Sequence, residues 1–426
     1  MREMKDSGVS WIGEIPKEWK LLRNKNAFFC SKEIVGNKSA TTQLLSLTTK
    51  GIKEKGPDVV GGKVPESFDT YQTVRKGQLV MCLFDLDCSA VFSGLSPFNG
   101  MISPAYKVVD CKDGMNPSFA SYWFSSVFDG RKYMHYSKNL RYTLTYDEFA
   151  ALPIVIPPLC EQQCIAKFLD SKCMEIDTIM EKTRTSIEEY KKLKLSVITE
   201  AVTKGILGNR QMKESGVEWI GEIPEGWRCG KLKQACSKIS DGSHFSPEIS
   251  TEGYPYITAK DVHGLGIDYT SASKISEENY FALVKAGCKP ERNDVLLVKD
   301  GATTGRVGMV TDNTACVLLS SVAMLHHNSQ VSPTYLYYFL QSNVMQEQIV
   351  ISMAGSAMPR ITLSKIVGFV LTIPPISEQK EVTAYLDEKC AAIDSLLVAK
   401  ETLISELEAY KKSIIYEYVT GKQEVI

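Results

Sequence analysis

The side chains best suited to chemistry lie in polar, glycine-bearing loops. Ser240-Asp241-Gly242-Ser243-His244-Phe245 offers Asp241, Ser243 and His244. Asp300-Gly301-Ala302-Thr303-Thr304-Gly305-Arg306 offers Thr303, Thr304 and Arg306. Ser356-Ala357-Met358-Pro359-Arg360 offers Ser356 and Arg360, and is paired in the first half by Ser137–Tyr142, with Lys138, Asn139, Arg141 and Tyr142. These residue types match base recognition: Arg pairs bidentately with guanine, Asn with adenine, and Asp accepts from cytosine N4. Hydroxyl groups and backbone N–H groups hold phosphates. These twelve side chains are the candidate DNA contacts; the bland alternative is a set of solvated turns.

Catalytic groupings do not assemble. Gly301–Arg306 lacks the Gly-Lys-Ser/Thr of a phosphate loop. Gly264-Leu265-Gly266 lacks the third glycine of a dinucleotide fingerprint. No Asn/Asp-Pro-Pro-Tyr/Phe methyltransferase motif occurs, and both Pro-Pro pairs sit in Ile-Pro-Pro helix leaders. Asp294 and Lys299 resemble nuclease residues but lack a second acidic partner at the needed spacing. His326-His327 ends a strand with no nucleophile beside it. Five histidines in 426 residues are few for acid–base work. Twelve cysteines form no Cys-x-x-Cys, and Cys160 with Cys164 has no nearby histidine, so packing outweighs a metal site. The composition is globular, with 44% hydrophobic and 23% charged residues. No apolar run reaches the roughly 18–20 residues of a membrane span, and no signal peptide is expected. A cytoplasmic, membrane-free protein with reduced thiols is the expectation. A net charge of −1 argues weakly against nucleic acid, but residues 21–155 carry 16 Lys+Arg against 12 Asp+Glu, while residues 229–372 carry 12 of each. A neutral whole can present a basic face.

The elements that must hold these loops are written twice. Met4–Pro16 recurs as Met212–Pro224, each ending in Trp-Ile-Gly-Glu-Ile-Pro. Ile156–Thr203 matches Ile373–Thr420 at 20 of 48 positions without gaps, 217 residues apart. Both long segments place seam residues at alternating steps of four and three: Leu169, Cys173, Ile176, Met180 onward, and Leu386, Cys390, Ile393, Leu397 onward. That is a coiled-coil seam. Lys194 and Lys411 occupy equivalent seam positions, where snorkelling is expected. The order is a lead-in motif (1–20), a variable block (21–155), a spacer helix (156–206), a linker with the second lead-in (207–228), a second variable block (229–372) and a second helix (373–426). Short strand-like runs fill the blocks: Thr42–Leu47, Gln78–Phe84 and Ala105–Val109, then Tyr256–Ala259, Val295–Lys299 and Val317–Leu325. Pro117–Val127 and Pro333–Leu340 read as matching helices. The expected fold is α+β: two similar α/β domains joined by two long antiparallel helices in a coiled coil, with pseudo-twofold symmetry.

The paired Trp-Ile-Gly-Glu-Ile-Pro motifs, the paired Ile-Pro-Pro-x-x-Glu-Gln leaders and the two Leu-Asp-x-Lys-Cys…Ile-Asp helices resemble the specificity subunits of type I restriction–modification systems. The Val-Thr endings and the Asp-Gly-Ser-His loop add to the likeness, which covers nearly the whole chain. The resemblance implies two target recognition domains, each reading one half of a split double-stranded DNA sequence. It implies helices that set the gap and dock two methyltransferase subunits, with translocase–nuclease subunits joining for cleavage. The chain itself would be non-catalytic and bind no cofactor; S-adenosylmethionine, ATP and Mg would sit on partners. One departure stands out: the first block has no Asp-Gly-x-His loop, and its positional equivalent, Ser31–Gly36, is unlike it. Two rival readings are a helical scaffold that never touches DNA, favoured by the neutral charge, and the recognition subunit of a type IIB-like system.

Overall fold

The computed structural model describes residues 2–56, 67–137, 142–264, 266–353 and 359–425. Two compact units emerge: Met1–Thr183 with Thr402–Ile426, and Arg184–Glu401. Lys138, Asn139, Arg141 and Ser356 lie outside the described residues.

In the first unit, β1 (Phe28–Ser31), β2 (Leu79–Met81), β3 (Ser93–Leu95) and β4 (Lys107–Cys111) form an antiparallel sheet in the order β1-β4-β2-β3. Helix α1 (Pro117–Asp129) buries Phe119, Trp123, Phe124 and Val127 beside it. Its start is set by sequence: Asn116 accepts from Phe119 N at 2.9 Å, and Pro117 fills the first turn. The chain then enters helix α2 (Leu159–Lys204).

The second unit repeats this plan. β5 (Cys236–Asp241), β6 (Val295–Val298), β7 (Val307–Met309) and β8 (Val322–His327) run in the order β5-β8-β6-β7, again antiparallel. Helix α3 (Pro333–Gln341) is capped by Ser332, which accepts from Tyr335 N at 3.2 Å. A second sheet, ordered Ile249–Ser250, Ser273–Ile275, Tyr254–Ile257 and Val317–Leu318, and the helix Glu277–Lys285 enlarge this block. Helix α4 (Ile376–Val419) follows. The expected run Val317–Leu325 is thus two strands, broken at Ser320-Ser321, where Ser320 N turns to Ser243 O.

Both long helices contribute to both units. In the first, Leu169, Cys173, Ile176 and Met180 of α2 share a core with Ile414, Ile415 and Val419 of α4. Phe168 packs on Tyr418 with centroids 4.5 Å apart, and Lys411 Nζ reaches both Asp177 oxygens at 2.7 Å. In the second, Lys194 Nζ reaches both Asp394 oxygens at 2.7 Å, and Lys400 sits over the Tyr190 ring at 5.3 Å. Within each unit the helices therefore run antiparallel, seam to seam. The seam lysines do not simply snorkel: each bridges to an aspartate of the facing helix.

In each unit the lead-in motif meets the Glu-Gln leader. In the first unit, Trp19 Nε1 donates to Glu161 at 2.8 Å, and the Arg2 guanidinium grips the same carboxylate. In the second, Trp227 Nε1 donates to Glu378 at 2.8 Å, beside Arg210 at 2.8 Å. Burial pushes the Glu161 carboxyl up, but the Arg2 and Trp19 hydrogen bonds outweigh it and hold it low. At Glu378 the Arg210 hydrogen bond dominates, with the same result. The neighbouring Gln162 is buried; it accepts from Asn116 N and donates to the Gly114 and Pro157 carbonyls, at 2.8–2.9 Å. Gln379 does the same for Ser332 N, Gln330 O and Pro374 O. The Glu-Gln leader thus clamps helix, lead-in hairpin and α1 or α3 together. Among the described residues no helix is long and apolar enough to cross a membrane.

Candidate nucleic-acid interface

The second block brings most of its candidate loops to one place. Strand β5 delivers Asp241 and β6 delivers Lys299 and Asp300, one and two residues past its end. Segment 359–361 joins them: Gly301 N donates to Pro359 O at 3.0 Å and Ile361 N to Lys299 O at 2.8 Å. Lys299 is only 2% exposed. Its ammonium sits 3.3 Å from Asp241 and 3.0 Å from Asp300. Arg360 Nε lies 3.1 Å from the other Asp300 oxygen, with its side chain 61% exposed. His244 approaches Asp241 at 3.3 Å and is 68% exposed. The result is a chain of alternating charges, Asp241–Lys299–Asp300–Arg360, rooted in a buried lysine and ending at the surface, with the His244 ring against Asp241 at its other end. A buried ammonium is tolerated because two carboxylates flank it.

The remaining candidates divide by how their polar groups are used. Ser243 Oγ donates to Phe245 O at 2.6 Å and accepts from Phe245 N at 3.0 Å. Thr304 Oγ1 donates to Gly301 O at 2.7 Å and lies 3.2 Å from Pro359 O. Arg306 Nη1 donates to Val262 O at 3.4 Å and its backbone N to Thr303 O. These groups hold the loops in shape. His244 and Arg360 are the ones that face outward. Thr303 is half-buried in the same turn. In the first block Tyr142 is the one candidate within the described residues; it sits at φ 46° and its carbonyl accepts from Leu86 N at 3.2 Å. Residue types and spacing marked Lys299 only as a nuclease look-alike, and its carboxylate partner Asp241 lies 58 positions away. A strand-end Lys-Asp pair was the signal available.

The first block builds the same frame with other side chains. Leu144 N donates to Leu83 O at 2.7 Å, as Ile361 N does to Lys299 O. Leu83 and Phe84 therefore stand where Lys299 and Asp300 do, and Thr143 stands where Arg360 does. Phe84 packs on Tyr106 at 5.6 Å. One strand start is also re-equipped. Gln78 accepts from Arg75 N at 2.7 Å and donates to both Asp110 oxygens at 3.0 and 2.9 Å. Asp294 accepts from Glu291 N at 2.6 Å and lies 2.8 Å from His326 Nδ1. The Asp294 hydrogen bond raises the His326 pKa against the opposing effect of burial.

Residues 224–408 match the family profile of the type I restriction modification DNA specificity domain. The chain is 26% identical over 288 residues to the type I restriction enzyme MjaVIII specificity subunit of Methanocaldococcus jannaschii, covering 65% of this chain and 63% of that one. It is 24% identical over 275 residues to the EcoBI specificity subunit of Escherichia coli, covering 63% and 57%. The chain thus spans about three-fifths of the length of these curated relatives. A structure from work on complex assembly and conformational transition of the type I R-M system superposes with a TM-score of 0.71 at 16% identity, covering 96% of this chain and 99% of the other. The HsdS subunit from Thermoanaerobacter tengcongensis gives 0.50 at 16% identity, covering 96% and 98%. Both share the fold.

Proposed function

We propose that this chain, a relative of type I restriction–modification specificity subunits that carries their DNA specificity domain, is the sequence-reading subunit of such a system. It binds a split double-stranded DNA target, one half-site per variable block. The long helices set the gap and dock two methyltransferase subunits; translocase–nuclease subunits join them for cleavage. The chain contributes recognition rather than catalysis, and S-adenosylmethionine, ATP and Mg belong to its partners. The observation that carries this reading is one backbone frame built twice with different side chains at its loop ends, as two readers of different half-sites require. Arg360 is the strongest base-reading candidate in the second block. Its guanidinium is exposed and lies within ion-pair distance of Asp300, which favours an extended pose and so lowers the ordering cost of a bidentate contact. The scaffold reading has no use for such a cluster.

The test is co-expression with the methyltransferase partner in a methylation-free host, followed by single-molecule methylome sequencing. A split motif is expected. Arg360→Ala should relax one position of one half-site, losing about 1–3 kcal/mol of discrimination, while the other half stays unchanged. An intact motif with only a changed salt dependence would make Arg360 a phosphate or structural residue. Absence of both methylation and DNA binding would favour the scaffold.

A further inference from the structure

We propose that Phe245 reads a thymine methyl group in the second half-site, and that Ile34 holds the corresponding place in the first block. This rests on the DNA-reading function proposed above.

Phe245 is 66% exposed, beside His244 at the tip of the loop that follows β5. An exposed phenylalanine on a mobile loop would fold back to bury its ring. This loop is not free to do so. Phe245 N donates to Ser243 Oγ and Phe245 O accepts from it, at 3.0 and 2.6 Å. Tyr256 Oη donates to Phe245 O at 3.3 Å. Ser243 N donates to Leu318 O at 2.7 Å, and Ser320 N to Ser243 O at 2.9 Å. Pro247, two residues on, is buried. The backbone therefore holds the ring out in water, at a cost in apolar exposure that a ligand would recover.

The neighbouring charges say which ligand. Asp241, Lys299, Asp300 and Arg360 sum to zero, so this surface gains little from phosphate alone. Base edges must supply the affinity, and the thymine methyl is the apolar group that the major groove offers. The first block gives an independent parallel. Ile34 is 57% exposed, three residues beyond β1. Its backbone is stitched on both sides, Thr73 N to Glu33 O at 2.8 Å and Val35 N to Tyr71 O at 2.9 Å. Two unlike loops thus each hold one large apolar side chain in solvent after the equivalent edge strand.

The experiment scans the cognate half-sites with deoxyuridine in place of each thymine, which removes only the methyl group. The full chain is used with its methyltransferase partner, at two salt concentrations. Wild type should lose about fourfold in affinity at one position of the second half-site, the worth of one buried methyl group. Phe245→Ala should bind thymine and deoxyuridine DNA equally there, with a deficit that does not grow with salt, since no phosphate contact is lost. Phe245→Leu should restore part of the difference. Ile34→Ala should do the same in the first half-site only. The inference is overturned if Phe245→Ala keeps the wild-type response to deoxyuridine, or if the second half-site has no methyl-sensitive position. A wild-type complex that fails to separate cognate from scrambled DNA would instead sink the DNA-reading function itself. Thermal melting of Phe245→Ala should match wild type, because the ring packs on little.

Discussion

Leu83-Phe84 in the first block and Lys299-Asp300 in the second leave equivalent strands at equivalent hydrogen bonds. One pair is apolar, with Phe84 packed on Tyr106; the other anchors the charge chain Asp241–Lys299–Asp300–Arg360. The Gln78–Asp110 and Asp294–His326 pairs repeat the contrast one strand-length earlier. The clamps behave oppositely. Trp19, Glu161 and Gln162 are duplicated, nearly bond for bond, by Trp227, Glu378 and Gln379. The molecule keeps its supports constant and varies what the supports present.

Breaking the charge chain should have the largest effect. Lys299→Met takes the buried ammonium from between Asp241 and Asp300, leaving Asp300 only the exposed Arg360 as counter-ion, and should cost about 3–5 kcal/mol. Leu83→Met at the equivalent site should cost less than about 1.5 kcal/mol. Denaturant titration of both variants measures the gap; equal costs would mean that the charge chain is not what holds these loops. The clamps predict equality instead. Gln162→Ala and Gln379→Ala should each lose roughly 1–3 kcal/mol through the buried groups left unpaired, and a large difference between them would show that the duplicated geometry is not duplicated energetics.

A smaller effect separates the blocks by pH. Because Asp294 raises the His326 pKa, the protonated pair stabilises the fold fully below the unfolded histidine value of about 6.5. That contribution is lost as pH rises through the higher folded value. Melting of the second unit should fall over this range and flatten in His326→Gln. The Gln78–Asp110 site has no imidazole and should show no matching step. Smallest of all, Lys194→Met and Lys411→Met should each change stability by about 0–1 kcal/mol, since both ion pairs are half in solvent.

Repetition made much of this fold readable. The leaders, the lead-in motifs and the helix seams are local patterns, and a helix with a 4,3 seam declares both its length and its buried face. Strand ends were less clear because short strands carry little periodicity: Gln78–Phe84 reads as one run, yet only Leu79–Met81 pairs as a strand. The site was legible in its loops and opaque in its wiring. Ser243 and Thr304 look like phosphate ligands by type, but their hydroxyls are spent on their own loops. Lys299 looks like a decoy until the fold brings Asp241 to it. Arg360 aligns by segment with Ser137–Tyr142, yet backbone hydrogen bonds make Thr143 its counterpart in the first block. None of these facts is local in sequence.

Gly242 places a limit on how this reader can diverge. A Cβ there would stand 2.1 Å from Leu318 O and 2.6 Å from Leu319 O, both of them backbone atoms that cannot step aside. Any other residue would lever the Asp241–Phe245 loop away from the strand Val317–Leu318. Mutational freedom is therefore pushed to His244, Phe245 and Ser246, where side chains leave the surface, His244 reaching back only as far as Asp241 at 3.3 Å. A lineage under pressure to recognise new sequences can alter those three positions one at a time and remain folded at every step.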